Sequence, residues 1–269
     1  MKQTFKKVLP APVWKAGSDI YWAWHNRGRH VVARTFSPRW AESSWQLREY
    51  RDCHLGERCF ILGNGPSLRQ TDLAYLRGEF TFGLNRIYLI FPETGFHTTY
   101  LASVNDLVVQ QCASEMESLP MPKFITWRAR RWLQHDAKTI FIDTDFTGKE
   151  GFSPQATGRI YEGNTVTYVA LQLAYHMGFK EVILVGVDHK FVTKGPANQA
   201  IVSEGDDPNH FTPNYFGKGF KWQLPDLEGS ERAYRLAKEA YEKTGRRIVD
   251  ATIGGKLNIF PKVIYDRLF

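Results

Sequence analysis

Cysteine is scarce in this sequence. Cys53, Cys59 and Cys112 are the three in 269 residues, and their spacing fits no metal-ligand pattern. So sparse and odd a set excludes a disulfide-stapled scaffold and suits a reducing compartment. Long hydrophobic runs are missing too: none reaches the roughly 18 residues of a bilayer-spanning helix. The first residues have neither the apolar core nor the cleavage site of a secretory signal, so a cytoplasmic location is expected. Several catalytic signatures are absent. There is no His-Glu-x-x-His zinc motif, no Gly-x-Ser-x-Gly nucleophile elbow and no Walker lysine loop. Without a tight carboxylate cluster, no metal site is expected.

What remains describes a globular chain with a taste for anions. Hydrophobic residues at 43% are enough for a sizeable core, and a net charge of +7 favours nucleotides, membrane surfaces or nucleic acid as partners. The basic residues are dense in 1–55, where Lys2, Lys6, Lys7, Lys15, Arg27, Arg29, Arg34 and Arg39 alternate with Trp14, Trp22, Trp24, Trp40 and Trp45. That mixture suits the headgroup zone of a membrane, and it also suits a helical arm packed on a domain. No nucleic-acid motif accompanies it, so no nucleic-acid partner is expected.

From residue 56 the pattern changes to an α/β domain. Strand-like runs stand at 58–62, 80–84, 99–104, 123–127, 139–143, 181–187 and 247–250. Between them, 164–178 carries Val166, Val169, Ala170, Leu173, Ala174 and Met177 at helical spacing, and 231–244 follows Ser230. The near-continuous apolar run Val182–Val187 reads as a strand buried on both faces. The alternation predicts a Rossmann-like, doubly wound, mostly parallel sheet over 56–269, with the basic aromatic arm ahead of it. Residues 190–228, rich in Gly, Pro, Asn and Asp without a clear period, read as a lid insertion.

Ligands of such sheets bind beyond the carboxyl ends of the strands. The run Cys59-Phe-Ile-Leu-Gly-Asn-Gly-Pro-Ser67 takes a strand through glycines into a helix start, a natural anion site. Gly63 and Gly65 are expected to let a ligand approach the backbone, and Ser67 to offer its hydroxyl and N–H. Asn64, Asn85 and Asn105 close successive strands and together could read a base or a sugar. Asn164 and Thr165 open the helix at 164–178 toward the same edge, and Asp188 ends the strand at 181–187, capping it or orienting a ligand. Lys190, Lys194, Lys218 and Lys221 surround the lid and could neutralise a leaving phosphate. His210, beside Asp206 and Asp207, could serve as a general base, with His189 as the competing candidate.

Gly63-Asn-Gly-Pro-Ser-Leu68, taken with Met177-Gly-Phe-Lys-Glu-Val-Ile-Leu-Val-Gly-Val-Asp188, resembles two related groups over residues 57–265. One is the broad family that includes the archaeal hydroxymethylpterin diphosphokinases (MptE-like proteins) and flagellin-modifying glycosyltransferases, which the chain resembles more closely. The other is the family 42 CMP-sialic-acid sialyltransferases. The second resemblance implies that Asn64 and Ser67 contact the nucleotide phosphate and sugar, that Asn85 and Asn105 hold cytidine and donor, that Thr165 binds the donor and that His210 is the base. Lys190 and Lys194 stand where that family has phosphate-stabilising tyrosines.

The function expected is a metal-independent glycosyltransferase. It would move a sugar from a CMP-linked, sialic-acid-like donor to a glycan or lipid-linked acceptor, near a membrane surface, with no resident cofactor. Two alternatives stay open: a Mg²⁺-dependent diphosphokinase of the hydroxymethylpterin type, for which Asp106, Asp143 and Asp188 offer no diagnostic spacing, and a nucleotide-binding module without turnover.

Overall fold

The computed structural model describes residues 36–134, 136–193 and 195–269. Most of the expected arm, residues 1–35, lies outside the described residues. Helix α1 (Pro38–Glu49) covers part of its remainder. Residues Ser43–Phe269 form one compact unit, to which the following description applies.

Short runs rich in β-branched and aromatic residues become the strands β1 (Arg58–Leu62), β2 (Phe80–Leu84), β3 (Tyr100–Ser103), β4 (Lys123–Thr126), β5 (Thr139–Asp145), β6 (Arg159–Tyr161) and β7 (Glu181–Val185). Two more, β8 (Ala200–Val202) and β9 (Lys221–Gln223), lie within the insertion, and β10 (Arg247–Asp250) follows. The helices after α1 are α2 (Phe91–Thr94), α3 (Asp106–Gln111), α4 (Ala113–Glu117), α5 (Val166–His176) and α6 (Leu227–Glu242).

Eight of these strands form one sheet in the order β10-β7-β1-β2-β3-β4-β5-β6, with each neighbouring pair parallel. Ile61 of β1 sits between Phe82 of β2 and Leu184 of β7. The chain moves outward from β1 to β6, then returns to place β7 on the other flank of β1. The order reverses there, so the crevice beyond the β1 and β7 ends is the natural ligand position of a doubly wound sheet.

Alternation within the strands separates two apolar layers. Cys59 and Ile61 join α5 residues Val169, Ala170, Leu173 and Ala174 and α6 residues Ala233, Ala237 and Tyr241 in one buried core. Phe60 points to the other face and stacks on Phe269 at 5.8 Å. Among the described residues no helix is long and apolar enough to cross a membrane.

Strand β7, helix α6 and the insertion differ from expectation for local reasons. Strand β7 stops at Val185 because Gly186, at φ 69°, turns the chain out of the sheet. Helix α6 starts at Leu227, ahead of the expected 231, because the Asp226 side chain caps it by accepting from the Gly229 N–H at 2.8 Å. The insertion is no featureless polar loop. Strands β8 and β9 pair as an antiparallel hairpin, and Phe211, Tyr215, Phe216, Trp222 and Leu224 are buried.

Candidate functional site

The crevice at the strand-order reversal holds a pocket of about 160 Å³. The turns after β1 and β7 form its floor, with Gly63, Asn64, Gly65 and Asp188 on its lining. Asn85 after β2, the α5 start at Asn164, Thr165, Val166 and Thr167, and the lid residues Asn209, His210, Tyr215 and Phe216 close its sides. Of the residues singled out from sequence, Lys190 also lines it and is exposed. Lys194 lies outside the described residues.

The glycine turn makes a close contact of its own. Neither Gly63 nor Gly65 uses a positive φ. A Cβ at Gly63 would stand 2.4 Å from the Gly186 carbonyl oxygen, and one at Gly65 would stand 1.8 Å from an Asp188 carboxylate oxygen. These glycines let the β1 and β7 turns touch each other. Ser67 is buried, and both its hydroxyl (2.6 Å) and its backbone N–H (3.2 Å) donate to Asp188. The carboxylate thus occupies the helix start that was expected to take a phosphate, and Ser67 is not on the pocket lining. Asp188 ties β7 to β1.

The asparagines divide as well. Asn64 donates through Nδ2 to the Leu84 carbonyl at 2.9 Å, and its Oδ1 is buried with no partner. Asn85, at φ 47°, accepts the Ser103 hydroxyl at 2.9 Å on Oδ1, which leaves its amide as a donor. Asn105 is absent from the lining: it caps α3, accepting from the N–H groups of Leu107 and Val108. Thr165 caps α5 by accepting from the Thr167 N–H at 3.3 Å, and its hydroxyl lies 3.5 Å from the Tyr234 hydroxyl. Asn164, at φ 61°, packs on Gly229.

The lid delivers a histidine–carboxylate pair. Asp207 accepts from His210 Nδ1 at 2.7 Å, and both side chains are largely buried. The Asn209 N–H fixes the other Asp207 oxygen at 2.9 Å. The His210 ring stacks on Tyr215, centroids 3.9 Å apart and planes 7° apart. With Nδ1 committed to a carboxylate, Nε2 is the nitrogen left to take a proton. Burial raises the pKa of Tyr215, so it stays a neutral wall.

Backbone contacts hold the lid down. The Phe211 N–H donates to the Asn64 carbonyl at 2.9 Å, the Arg69 guanidinium donates to the Phe211 carbonyl, and the buried Arg86 guanidinium donates to the Tyr215 carbonyl. Gln111 of α3 pairs with the Lys221 backbone through both amide atoms, at 2.8 and 2.9 Å. Lys218 and Lys221 are not on the pocket lining.

Three groups at the site had no strong local signal: Tyr215, Tyr234 and Glu231. Tyr215 stands five residues past His210 in the same polar segment. Both Tyr234 and Glu231 belong to α6: Tyr234 lines the pocket, and Glu231 meets it only through its bond to His189, so tertiary packing alone brings them there. Among the described residues no group of three or more His, Cys, Asp or Glu is placed to hold a metal. Asp106 pairs with Arg128, Asp143 with Arg159, and Asp188 with Ser67, so the three aspartates do not form a magnesium site.

A parallel doubly wound sheet with its cleft at the strand-order reversal, and an insertion carrying a histidine–carboxylate pair, define a Rossmann-like α/β architecture. Over residues 41–194 the chain matches the family described as 6-hydroxymethylpterin diphosphokinase MptE-like, and it belongs to that family. No curated protein matches it. Its fold is similar to the solved structure of the MAf glycosyltransferase from Magnetospirillum magneticum AMB-1, with a TM-score of 0.53 and 14% identity. That likeness covers 85% of this chain and 39% of the other, so the chain spans well under half of that protein's length.

Proposed function

We propose that this chain is a nucleotide-dependent transferase that moves a sugar from a nucleotide-linked donor to an acceptor hydroxyl. The observation that carries the reading is the Asp207–His210 pair on the wall of the switch-point cleft. The acceptor oxygen attacks the anomeric carbon of the donor as the bond from that carbon to the phosphate oxygen breaks. His210 Nε2 takes the acceptor proton, and Asp207 holds the ring and stabilises the imidazolium that forms. Lys190 offsets charge on the departing phosphate. Asn64 Oδ1 lacks a donor, and a phosphate cannot supply one, so its partner is a sugar hydroxyl or a base amino group.

The donor named by the sialyltransferase resemblance, a CMP-linked acidic sugar, is the first to test. The acceptor is a glycan or lipid-linked hydroxyl, held near a membrane by the basic aromatic residues of 1–55. The fold shared with a glycosyltransferase supports this reading. Membership of a family named for a diphosphokinase supports a second one, transfer of a diphosphate from ATP. Mg²⁺ would there be bound mainly by the substrate phosphates, since the three aspartates are dispersed.

Calorimetric titration of CMP and of ATP, each with and without Mg²⁺, separates the two. CMP binding that is indifferent to Mg²⁺ supports the glycosyltransferase; ATP binding that requires Mg²⁺ replaces it with the diphosphokinase. With an active donor in hand, His210→Ala lowers kcat by about 10²- to 10⁴-fold and leaves CMP affinity unchanged. Wild-type turnover in His210→Ala overturns the base assignment.

A further inference from the structure

The pocket is lined by a second histidine that is paired with a carboxylate. His189 follows Asp188 on the β7 turn, lines the pocket, and holds a left-handed backbone at φ 53°. Its Nε2 lies 3.1 Å from Glu231 Oε1 of α6, and its side chain is 8% exposed. Arg235 holds the other Glu231 oxygen at 3.1 Å. Non-glycine residues kept in this backbone region collect at ligand sites, where the surrounding structure holds the strained form in place.

We infer that His189, held by Glu231, receives the donor's phosphate and takes up a proton as the nucleotide binds. The inference rests on the reading of the cleft as a nucleotide site. Glu231 is an acceptor, so the Nε2 nitrogen carries the ring proton and Nδ1 of the neutral ring presents a lone pair. A phosphate oxygen is also an acceptor and gains nothing from that lone pair. Adding one solvent proton at Nδ1 turns it into a charged donor between two anions, the Glu231 carboxylate and the phosphate. Glu231 comes from α6 with Arg235 behind it, and so does Tyr234, whose hydroxyl burial keeps neutral. Asp188 and Lys190 belong to its own turn, with Asp188 occupied by Ser67. Asp207 and His210 belong to the insertion, and His210 lines the same pocket.

His189 thereby supplies the contact to phosphate that Ser67, committed to Asp188, does not. It divides the work of the two histidines. His210 accepts the acceptor's proton, while His189 carries charge toward the leaving oxygen as the bond from the anomeric carbon breaks. Glu231 acts through His189 and is a positioning residue.

The test is calorimetric binding of CMP and of cytidine to the full chain near pH 7.5, in two buffers of different ionisation enthalpy. Wild type should take up a measurable fraction of a proton, at most one, per CMP and none per cytidine. His189→Gln should weaken CMP by about 10- to 100-fold, abolish the uptake and leave cytidine unchanged. Glu231→Gln keeps the volume and should reduce the uptake on CMP without touching cytidine, so the question stays answerable if His189→Gln folds poorly. CMP binding with wild-type affinity and uptake in His189→Gln, or an equal loss for cytidine, overturns the inference while the nucleotide reading stands. Failure of wild type to bind CMP or any other nucleotide overturns both.

Discussion

Gly65 shows how one position can be conspicuous in sequence and serve a different purpose in the fold. Its missing Cβ makes room for the Asp188 carboxylate, since a methyl there would sit 1.8 Å from the nearer oxygen. That oxygen also takes the Ser67 hydroxyl, so neither the turn nor the carboxylate can shift without giving up the bond. Gly65→Ala should cost about 1–3 kcal/mol, the usual range for overpacking a tight site. Gly158→Ala, with its nearest neighbour atom 3.7 Å away, serves as the comparison and should change stability far less. Urea unfolding of the two variants checks this, and equal midpoints would mean that the turn relaxes freely around a methyl. Ser67→Ala leaves a carboxylate with one charge-assisted bond fewer and should lower stability by about 1.5–3 kcal/mol. The motif Gly63-Asn-Gly-Pro-Ser67 is legible in sequence as a strand end turning into a helical start. Its partner is not, because Asp188 lies 121 residues from Ser67 and no local pattern joins them.

The insertion between β7 and α6 is held by a few contacts whose number limits its stability. Its aromatic interior of Tyr215, Phe216 and Trp222 gives it a packed centre, with Phe216 and Trp222 stacked at 5.1 Å. On the α3 side the hold is the Gln111 amide, which imitates a neighbouring strand by giving and taking one bond with the Lys221 backbone. Gln111→Ala removes both bonds at an exposed place, a loss of about 1–2 kcal/mol confined to the hairpin. Faster amide exchange at Lys221 and faster proteolytic nicking within 195–223 should follow, with little change in the global melting temperature. Unchanged exchange in the hairpin would show that the aromatic interior alone holds it. The composition of this segment reads as polar and irregular, and its Gly, Pro, Asn and Asp do supply turns. Its aromatics are scattered at no fixed spacing, so neither helical nor strand periodicity could reveal that they meet.

The alternation of strands and helices announces a parallel doubly wound sheet, and the apolar run ahead of Asp188 announces a strand buried on both faces. Which strand lies beside which is not written locally. The position of β7 against β1, and with it the place of the cleft, comes with a shared core in which Val169 and Leu173 of α5, Ile61 of β1 and Leu184 of β7 are buried together. That arrangement leaves a titratable mark on the whole fold at His176, the last residue of α5. His176 is 2% exposed; its Nε2 donates to the Leu47 carbonyl at 2.7 Å, while Nδ1 is buried with no partner. Charging the ring would put a proton on Nδ1 with nothing to receive it, and burial accordingly lowers the pKa below the ordinary histidine value of 6.5. The folded state therefore binds this proton less readily than the unfolded chain. The sign follows from linkage: the His176 contribution is whole above the unfolded value and shrinks as pH falls below it, by at most about 1.4 kcal/mol per pH unit for one proton. His176→Gln can keep the bond to Leu47 and cannot charge, so its melting temperature should fall less steeply than wild type between pH 6.5 and 5. Parallel curves for the two proteins would assign the acid sensitivity to other groups and remove His176 from the account.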